Sequence, residues 1–267
     1  MENNSMMSDV RVSFYKETIA KWIPNKNASI LVVGGGVTDQ SVLIDVGFKN
    51  VVISNLDTRL KGDEFAPYKW SFQKAEQLDY KDGEFDFVLV HAALHHCESP
   101  HRALLEMYRV SKIGMIAFES RDSWLMKLIE TMGLTQSYEH VAVYYNDGKF
   151  GGVNNTEIPN YIYRWTEREI EKTVNTYAPY ARHRFYYQYG SDIPFHLSVE
   201  KNASLKSILV STLKPIYKIF SLLFPKQQNL FAFYVEIPKI PDDIYPWIQV
   251  ENEKLKFNYE WAKKIYK

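Results

Sequence analysis

Ile30-Leu31-Val32-Val33-Gly34-Gly35-Gly36-Val37-Thr38-Asp39 decides the fold. Four apolar residues run straight into three glycines. So short and apolar a run reads as a strand buried on both faces, hence part of a parallel sheet. The glycines permit a sharp turn and let a ligand lie against bare backbone. Gln40 to Val46 has helix-compatible composition, with Val42, Leu43 and Val46 able to share one face. Val51-Val52-Ile53 is a second apolar run, ending in Ser54, Asn55 and acidic Asp57. Strand, glycine turn, helix, strand and acid together open a nucleotide-binding α/β fold, with the ligand at the carboxyl ends of the strands.

The residues also narrow the nucleotide. A dinucleotide fingerprint would place its last glycine at position 39, where Asp39 stands and would repel a pyrophosphate. No phosphate-binding P-loop motif occurs. A glycine turn without a phosphate site suits a nucleoside that carries none, such as S-adenosylmethionine. Asp57 is then placed to accept hydrogen bonds from the ribose hydroxyls.

Downstream, Asp82-Gly83-Glu84-Phe85-Asp86-Phe87-Val88 leads to Leu94-His95-His96, then to Ala103-Leu104-Leu105-Glu106-Met107-Tyr108-Arg109-Val110. Here the chain resembles the class I S-adenosylmethionine-dependent methyltransferases, especially the ubiquinone/menaquinone-biosynthesis branch, over roughly residues 28 to 120. The resemblance implies a Rossmann-like fold: a seven-stranded, mostly parallel sheet with helices on both faces. It implies cofactor contacts from Gly34, Gly35, Gly36, Asn55, Asp57, Ala75, Glu76 and His91. Val32, Thr38 and Lys74 replace residues usual in the family, and Ile113-Gly114 stands where a glycine pair is common.

The chain has 267 residues, 46% of them apolar, enough for one domain with elaborations. Net charge is zero, so composition points to no nucleic-acid partner. The lone Cys97 excludes an internal disulfide, and no Cys/His run has zinc spacing, so no metal is expected. Met1 to Asp9 is polar without a signal-peptide core, which gives a cytoplasmic expectation.

Val10 to Trp22 reads as a helix beside the sheet or a lid over the cofactor. Phe65 to Phe72 holds a short third strand, Phe85 to Val90 the fourth and Met115 to Phe118 the fifth. Glu119-Ser120-Arg121-Asp122, polar at the carboxyl edge of the fifth strand, is placed to face substrate; alternatively Ser120 or Asp122 is the N-cap of a helix from Trp124. His101 is expected on the surface.

Residues 137 to 165 alternate aromatics with amides and carry Gly148, Gly151 and Gly152. Stacking rings beside amides suit a sugar or another polar ring, so this insertion is the expected acceptor site. Tyr145, Asn154, Asn155 and Arg164 are candidate substrate contacts, and His95, His140 and Tyr144 are candidate bases. Thr166 to Glu169 forms a capping box for a helix to about Tyr177. Arg182 to Tyr189 and Leu230 to Ile237 read as the last two strands.

Ser204 to Phe224 is an apolar helical stretch punctuated by Lys206, Lys214 and Lys218. It is a poor membrane span but a candidate for peripheral membrane contact. These readings give a domain over residues 1 to 237 and an aromatic extension over 238 to 267, docked on the domain or on a second subunit as a homodimer. The expected activity is O- or N-methylation of a small-molecule or saccharide acceptor. The alternative is a non-catalytic scaffold of the same fold that binds a partner protein.

Overall fold

A computed structural model describes residues 8–133, 135–192, 215, 217 and 219–266. Most of the 204–224 stretch, including Lys206, Lys214 and Lys218, lies outside the described residues. No helix among the described residues is long and apolar enough to cross a membrane.

Seven strands form the central sheet: β1 (Ser29–Val33), β2 (Asn50–Asn55), β3 (Lys69–Phe72), β4 (Phe85–His91), β5 (Ser111–Ser120), β6 (Arg184–Gly190) and β7 (Leu230–Glu236). Their order is β3-β2-β1-β4-β5-β7-β6. β1 to β5 are mutually parallel, and β7 runs antiparallel between β5 and β6. This is the expected mostly parallel sheet with an antiparallel hairpin at one edge.

The period-2 geometry of strands explains why the core runs read as continuously apolar. Leu31, Val33, Val88, Val90, Met115 and Ala117 point to one face. There they pack on α3 (Pro100–Val110) and α6 (Glu167–Tyr177) through Leu104, Met107, Ile170 and Val174. Ile30, Val32, Phe87, Leu89, Ile116 and Phe118 point to the other face. There they meet α1 (Asp9–Trp22) and α2 (Val37–Val46) through Tyr15, Ile19, Val42 and Leu43. The sheet is thus helix-covered on both sides. α1 packs beside the sheet, with Tyr15 and Ile19 fully buried.

Caps depart from expectation in two places. The N-cap of α4 (Trp124–Thr131) is Ser123, not Ser120 or Asp122; its hydroxyl accepts from Met126 N at 3.1 Å. Thr166 caps α6 as expected by accepting from Glu169 N. The reciprocal half of the capping box is missing, because the Glu169 carboxylate instead takes the Tyr163 hydroxyl and lies near His101. His101 is accordingly not a free surface residue: its ring packs 5.0 Å from that of Trp165.

The insertion after β5 is closed at its base. Ile162 N donates to Ser137 O, Glu139 N donates to Asn160 O, and Tyr138 bridges Tyr161. The excursion holds α5 (His140–Tyr145) and a 3-10 turn at Val153–Asn155. After β7 come a hairpin of β8 (Ile248–Glu251) with β9 (Lys254–Phe257) and α7 (Tyr259–Ile265). Arg182 N donates to Asp243 O and Arg184 pairs with Asp243 at 2.7 Å, which ties the segment before this hairpin to β6.

Candidate active site

The glycine turn after β1 is built by its neighbour β2. Gly35 N donates to Ser54 O at 2.9 Å, and Asn55 Nδ2 donates back to Gly35 O at 2.8 Å. Gly34 has φ +64°, and a Cβ there would stand 2.6 Å from the Ala93 Cβ. Glycine is required by both backbone and space. Asp39, the acid at the fingerprint's last glycine, turns back to accept from Gly36 N at 2.9 Å and from Tyr15 Oη at 3.0 Å. One amide at the start of α2 is therefore already satisfied by a carboxylate. That is a poor berth for a pyrophosphate and a tolerable one for an uncharged ribose.

A cavity of about 250 Å³ lies against this turn, near the lower bound of roughly 300 Å³ for small-ligand pockets. Gly34, Asn55, Asp57, Gln73, Ala75 and Glu76 line it from the sheet side. Gly151, Gly152, Asn154 and Asn155 close it from the insertion. Asn154 and Asn155, expected at the acceptor, thus border the cavity beside the glycine turn. Asp57 is not free: Arg59 Nη2 donates to its Oδ2 at 2.6 Å and Arg59 Nε to its Oδ1 at 2.9 Å. Those bonds hold the Asp57 carboxyl below its usual range, against the opposing effect of burial. Glu76 is buried and takes Ser99 N at 3.2 Å. Lys74, where the family often has an acid, faces Glu98 at 3.7 Å.

A second cavity of about 270 Å³ opens on the other side of Ala92, a residue common to both. It is bordered by His91, His95, Glu119, Glu139 and Arg164, with Phe14, Phe118 and Phe231 as aromatic walls. The His91 ring stacks on Tyr15 at 4.8 Å, and burial lowers its pKa. Ala92 takes φ +50°, so the chain turns sharply where the cavities meet.

His95 is the most constrained polar group there. It sits on the 3-10 turn Leu94–His96, 9% exposed. Its Nδ1 meets Glu119 Oε2 at 2.7 Å and its Nε2 meets Glu139 Oε2 at 3.2 Å. Glu119 is itself fixed, accepting from Ala93 N at 3.0 Å and Leu94 N at 2.8 Å. Burial alone would lower the His95 pKa, but the two carboxylates outweigh it and raise it to about 10. At neutral pH His95 is therefore a proton donor. His96 Nε2 also approaches Glu139 Oε2, at 3.4 Å.

The other base candidates lie elsewhere. His140, Tyr144 and Tyr145 share the outer face of the insertion, with Tyr144 77% exposed. The structure does not bring them to His95. Arg164 does reach the second cavity; it is nearly buried and donates to Gln136 O at 2.8 Å. Gln73 and Arg59 were not singled out from sequence, whereas Glu119, at the polar end of the fifth strand, does line the second cavity. Arg59 stands two residues after Asp57, but nothing local distinguishes that spacing from a surface pair.

Residues 36–118 match the family model described as a methyltransferase domain. This segment is similar to that family, and the sheet around it has the Rossmann-like fold of solved methyltransferase neighbours. Its three-dimensional relatives include the PH0226 protein of Pyrococcus horikoshii, 14% identical, covering 88% of this chain and 93% of that one at a TM-score of 0.53. A chain from the complex of the Haloferax volcanii Trm112 methyltransferase activator is 12% identical, with 87% and 92% covered at a TM-score of 0.52. At such identities these likenesses are of fold. In sequence, 60 residues are 42% identical to an uncharacterised Methanocaldococcus jannaschii protein, spanning 21% of this chain and 29% of that protein. The matched methyltransferase segment runs from the glycine turn to Phe118 of β5. It includes Asn55, Asp57, Glu76, His91 and His95 and stops short of the insertion that supplies Glu139, Asn154 and Arg164.

Proposed function

We propose that this protein binds S-adenosylmethionine in the cavity beside Gly34 and Asp57 and methylates a hydroxyl or amine of a small polar acceptor held in the second cavity. The observation that carries the reading is the junction of the two cavities at Ala92, at the carboxyl end of β4. The residues fit the cofactor: Gly34 leaves bare backbone, and Asp57 lines the cavity as a carboxylate that a ribose diol would engage by displacing part of its contact with Arg59. Gln73, Ala75 and Glu76 border the remaining space, suited to a base ring. When bound, S-adenosylmethionine supplies an electrophilic methyl group.

The protein's own task is then mainly alignment, which can contribute most of the acceleration for a reactive donor. His95, cationic between Glu119 and Glu139, holds the Glu139 carboxylate in place. Glu139 is the group open to accept a hydrogen bond from an acceptor hydroxyl or ammonium. Aromatic walls beside Arg11, Arg164 and Asn229 favour a polar ring such as a saccharide.

Calorimetric titration with S-adenosylmethionine and S-adenosylhomocysteine tests the first half of the reading. Micromolar binding that is weakened in Asp57→Ala supports it. A folded sample that binds neither ligand at millimolar concentration overturns it in favour of a partner-binding scaffold. Saccharide and small phenolic acceptors are then screened by mass spectrometry for the gain of one methyl group.

A further inference from the structure

Two imidazole nitrogens converge on a single carboxylate oxygen at the border of the two cavities. His95 Nε2 and His96 Nε2 lie 3.2 and 3.4 Å from Glu139 Oε2. The ligand atoms of all three residues fall within 4.8 Å of one another. Neighbouring ligands around a tetrahedral ion with bonds of 2.0–2.1 Å stand about 3.3 Å apart. The two measured separations match that spacing with no ion between them.

We propose that His95, His96 and Glu139 form a binding site for a divalent transition-metal ion, which on binding displaces the proton that His95 Nε2 otherwise shares with Glu139. The surroundings are those of a built site. Glu119 Oε2 meets the far nitrogen of His95 at 2.7 Å, the carboxylate–histidine arrangement that fixes which ring nitrogen faces a metal. Glu119 is fully buried and held by two backbone amides, so the ring it orients cannot swing. Asn160 Nδ2 also donates to that Glu139 Oε2, at 3.4 Å. His96 and Glu139 remain 29% and 31% exposed, which leaves an entry path.

Two imidazoles and one carboxylate select the ion class. Imidazole suits zinc, iron, cobalt and nickel, whereas magnesium and calcium prefer all-oxygen sets. Three protein ligands leave coordination positions open, as in catalytic rather than structural sites. His95 and Glu139 line the second cavity, so an acceptor oxygen placed there is within reach of those positions. This role for the ion rests on the methyltransferase reading; the binding itself does not. Sequence spacing concealed the site because Glu139 comes from the insertion, far along the chain from the adjacent histidines.

The test uses the full-length chain without an affinity tag, stripped with EDTA and titrated with cobalt(II) in the absence of S-adenosylmethionine. The expected result is saturable binding of one equivalent, with the visible absorption of a four- or five-coordinate cobalt site. His96→Ala and Glu139→Gln, with unchanged far-ultraviolet circular dichroism, each weaken binding at least about tenfold and abolish the spectrum. His140→Ala, on the outer face, leaves both intact. Absence of saturable binding overturns the proposal, as does unchanged affinity in either His96→Ala or Glu139→Gln. Because no nucleoside is present, failure here leaves the cofactor titration to be judged on its own result.

Discussion

Arg59 grips Asp57 through two nitrogens, at 2.6 and 2.9 Å, while its guanidinium lies over the Phe150 ring at 4.2 Å from the centroid. Arg59 Nη1 also donates to Asn146 Oδ1 at 3.1 Å. One side chain thus joins the acid at the end of β2 to the insertion that closes the first cavity. Hydrogen bonds to a charged group contribute roughly 1.5–3 kcal/mol each. Asp57→Ala is therefore expected to weaken S-adenosylhomocysteine binding by roughly ten- to a hundredfold, read by calorimetry. Arg59→Ala removes the tie and leaves the acid, so its larger effect is expected in the insertion. Amide hydrogen exchange of residues 146 to 155 should quicken, while affinity falls less than in Asp57→Ala. Equal losses in the two variants would count against this division of roles.

Gly34 and Gly36 should respond differently to the same added methyl. At Gly34 the backbone is left-handed and a Cβ meets Ala93 at 2.6 Å. Strain of this kind costs of order 1–3 kcal/mol, before any loss of ligand space. At Gly36 the backbone is extended and no atom lies within 4 Å of an added Cβ. Gly34→Ala should lower the melting temperature and abolish cofactor binding; Gly36→Ala should leave the melting temperature within a degree or two. A Gly34→Ala protein that melts and binds like the parent would refute the close approach to Ala93.

What the sequence revealed depended on range. Apolar runs such as Ile30 to Val33 and Leu230 to Ile237 announced strands because both their faces are buried, and burial writes itself into local composition. The glycine turn was legible because φ +64° at Gly34 admits few other residues. Groups brought together by distant segments left no such trace. Glu119 meets His95 because β4 and β5 are neighbours with His91 opposite Phe118, a register no local pattern encodes. The insertion looked like one acceptor-binding loop. In space its glycines and asparagines border the first cavity, while Glu139 and Arg164 border the second. Tyr144, chosen for its chemistry, faces outward because α5 is short and buries only Val143.

Arg121 and Glu167 form a nearly buried ion pair at 2.7 Å beneath the base of the insertion. Burial would raise the Glu167 pKa, but Arg121 and the Tyr189 hydroxyl outweigh it and bring it to about 2. Breaking such a pair from one side strands the other charge, at a cost of about 3–5 kcal/mol. Glu167→Ala should lower unfolding stability in urea by that order, and Glu167→Gln by less, since it keeps a hydrogen-bond acceptor for Arg121. A loss below 1 kcal/mol in Glu167→Ala would mean that Arg121 finds water.

His183 gives the fold an acid-sensitive joint away from the cavities. Its Nδ1 faces Asn175 Oδ1 at 3.0 Å and its Nε2 faces the Tyr108 hydroxyl at 2.9 Å. A neutral ring satisfies both, donating to the amide oxygen and accepting from the phenol. Burial pushes its pKa down to about 4, against about 6.5 in an unfolded chain. Between those values the unfolded chain takes up a proton that the folded chain refuses. Stability is therefore complete above about pH 6.5 and declines as pH falls towards 4. His183→Gln removes the titration but keeps an amide to serve both partners. Melting temperatures measured from pH 7 to pH 4.5 should fall less steeply in the variant than in the parent protein. Parallel curves would show that His183 already carries its proton in the folded state, donating from both nitrogens.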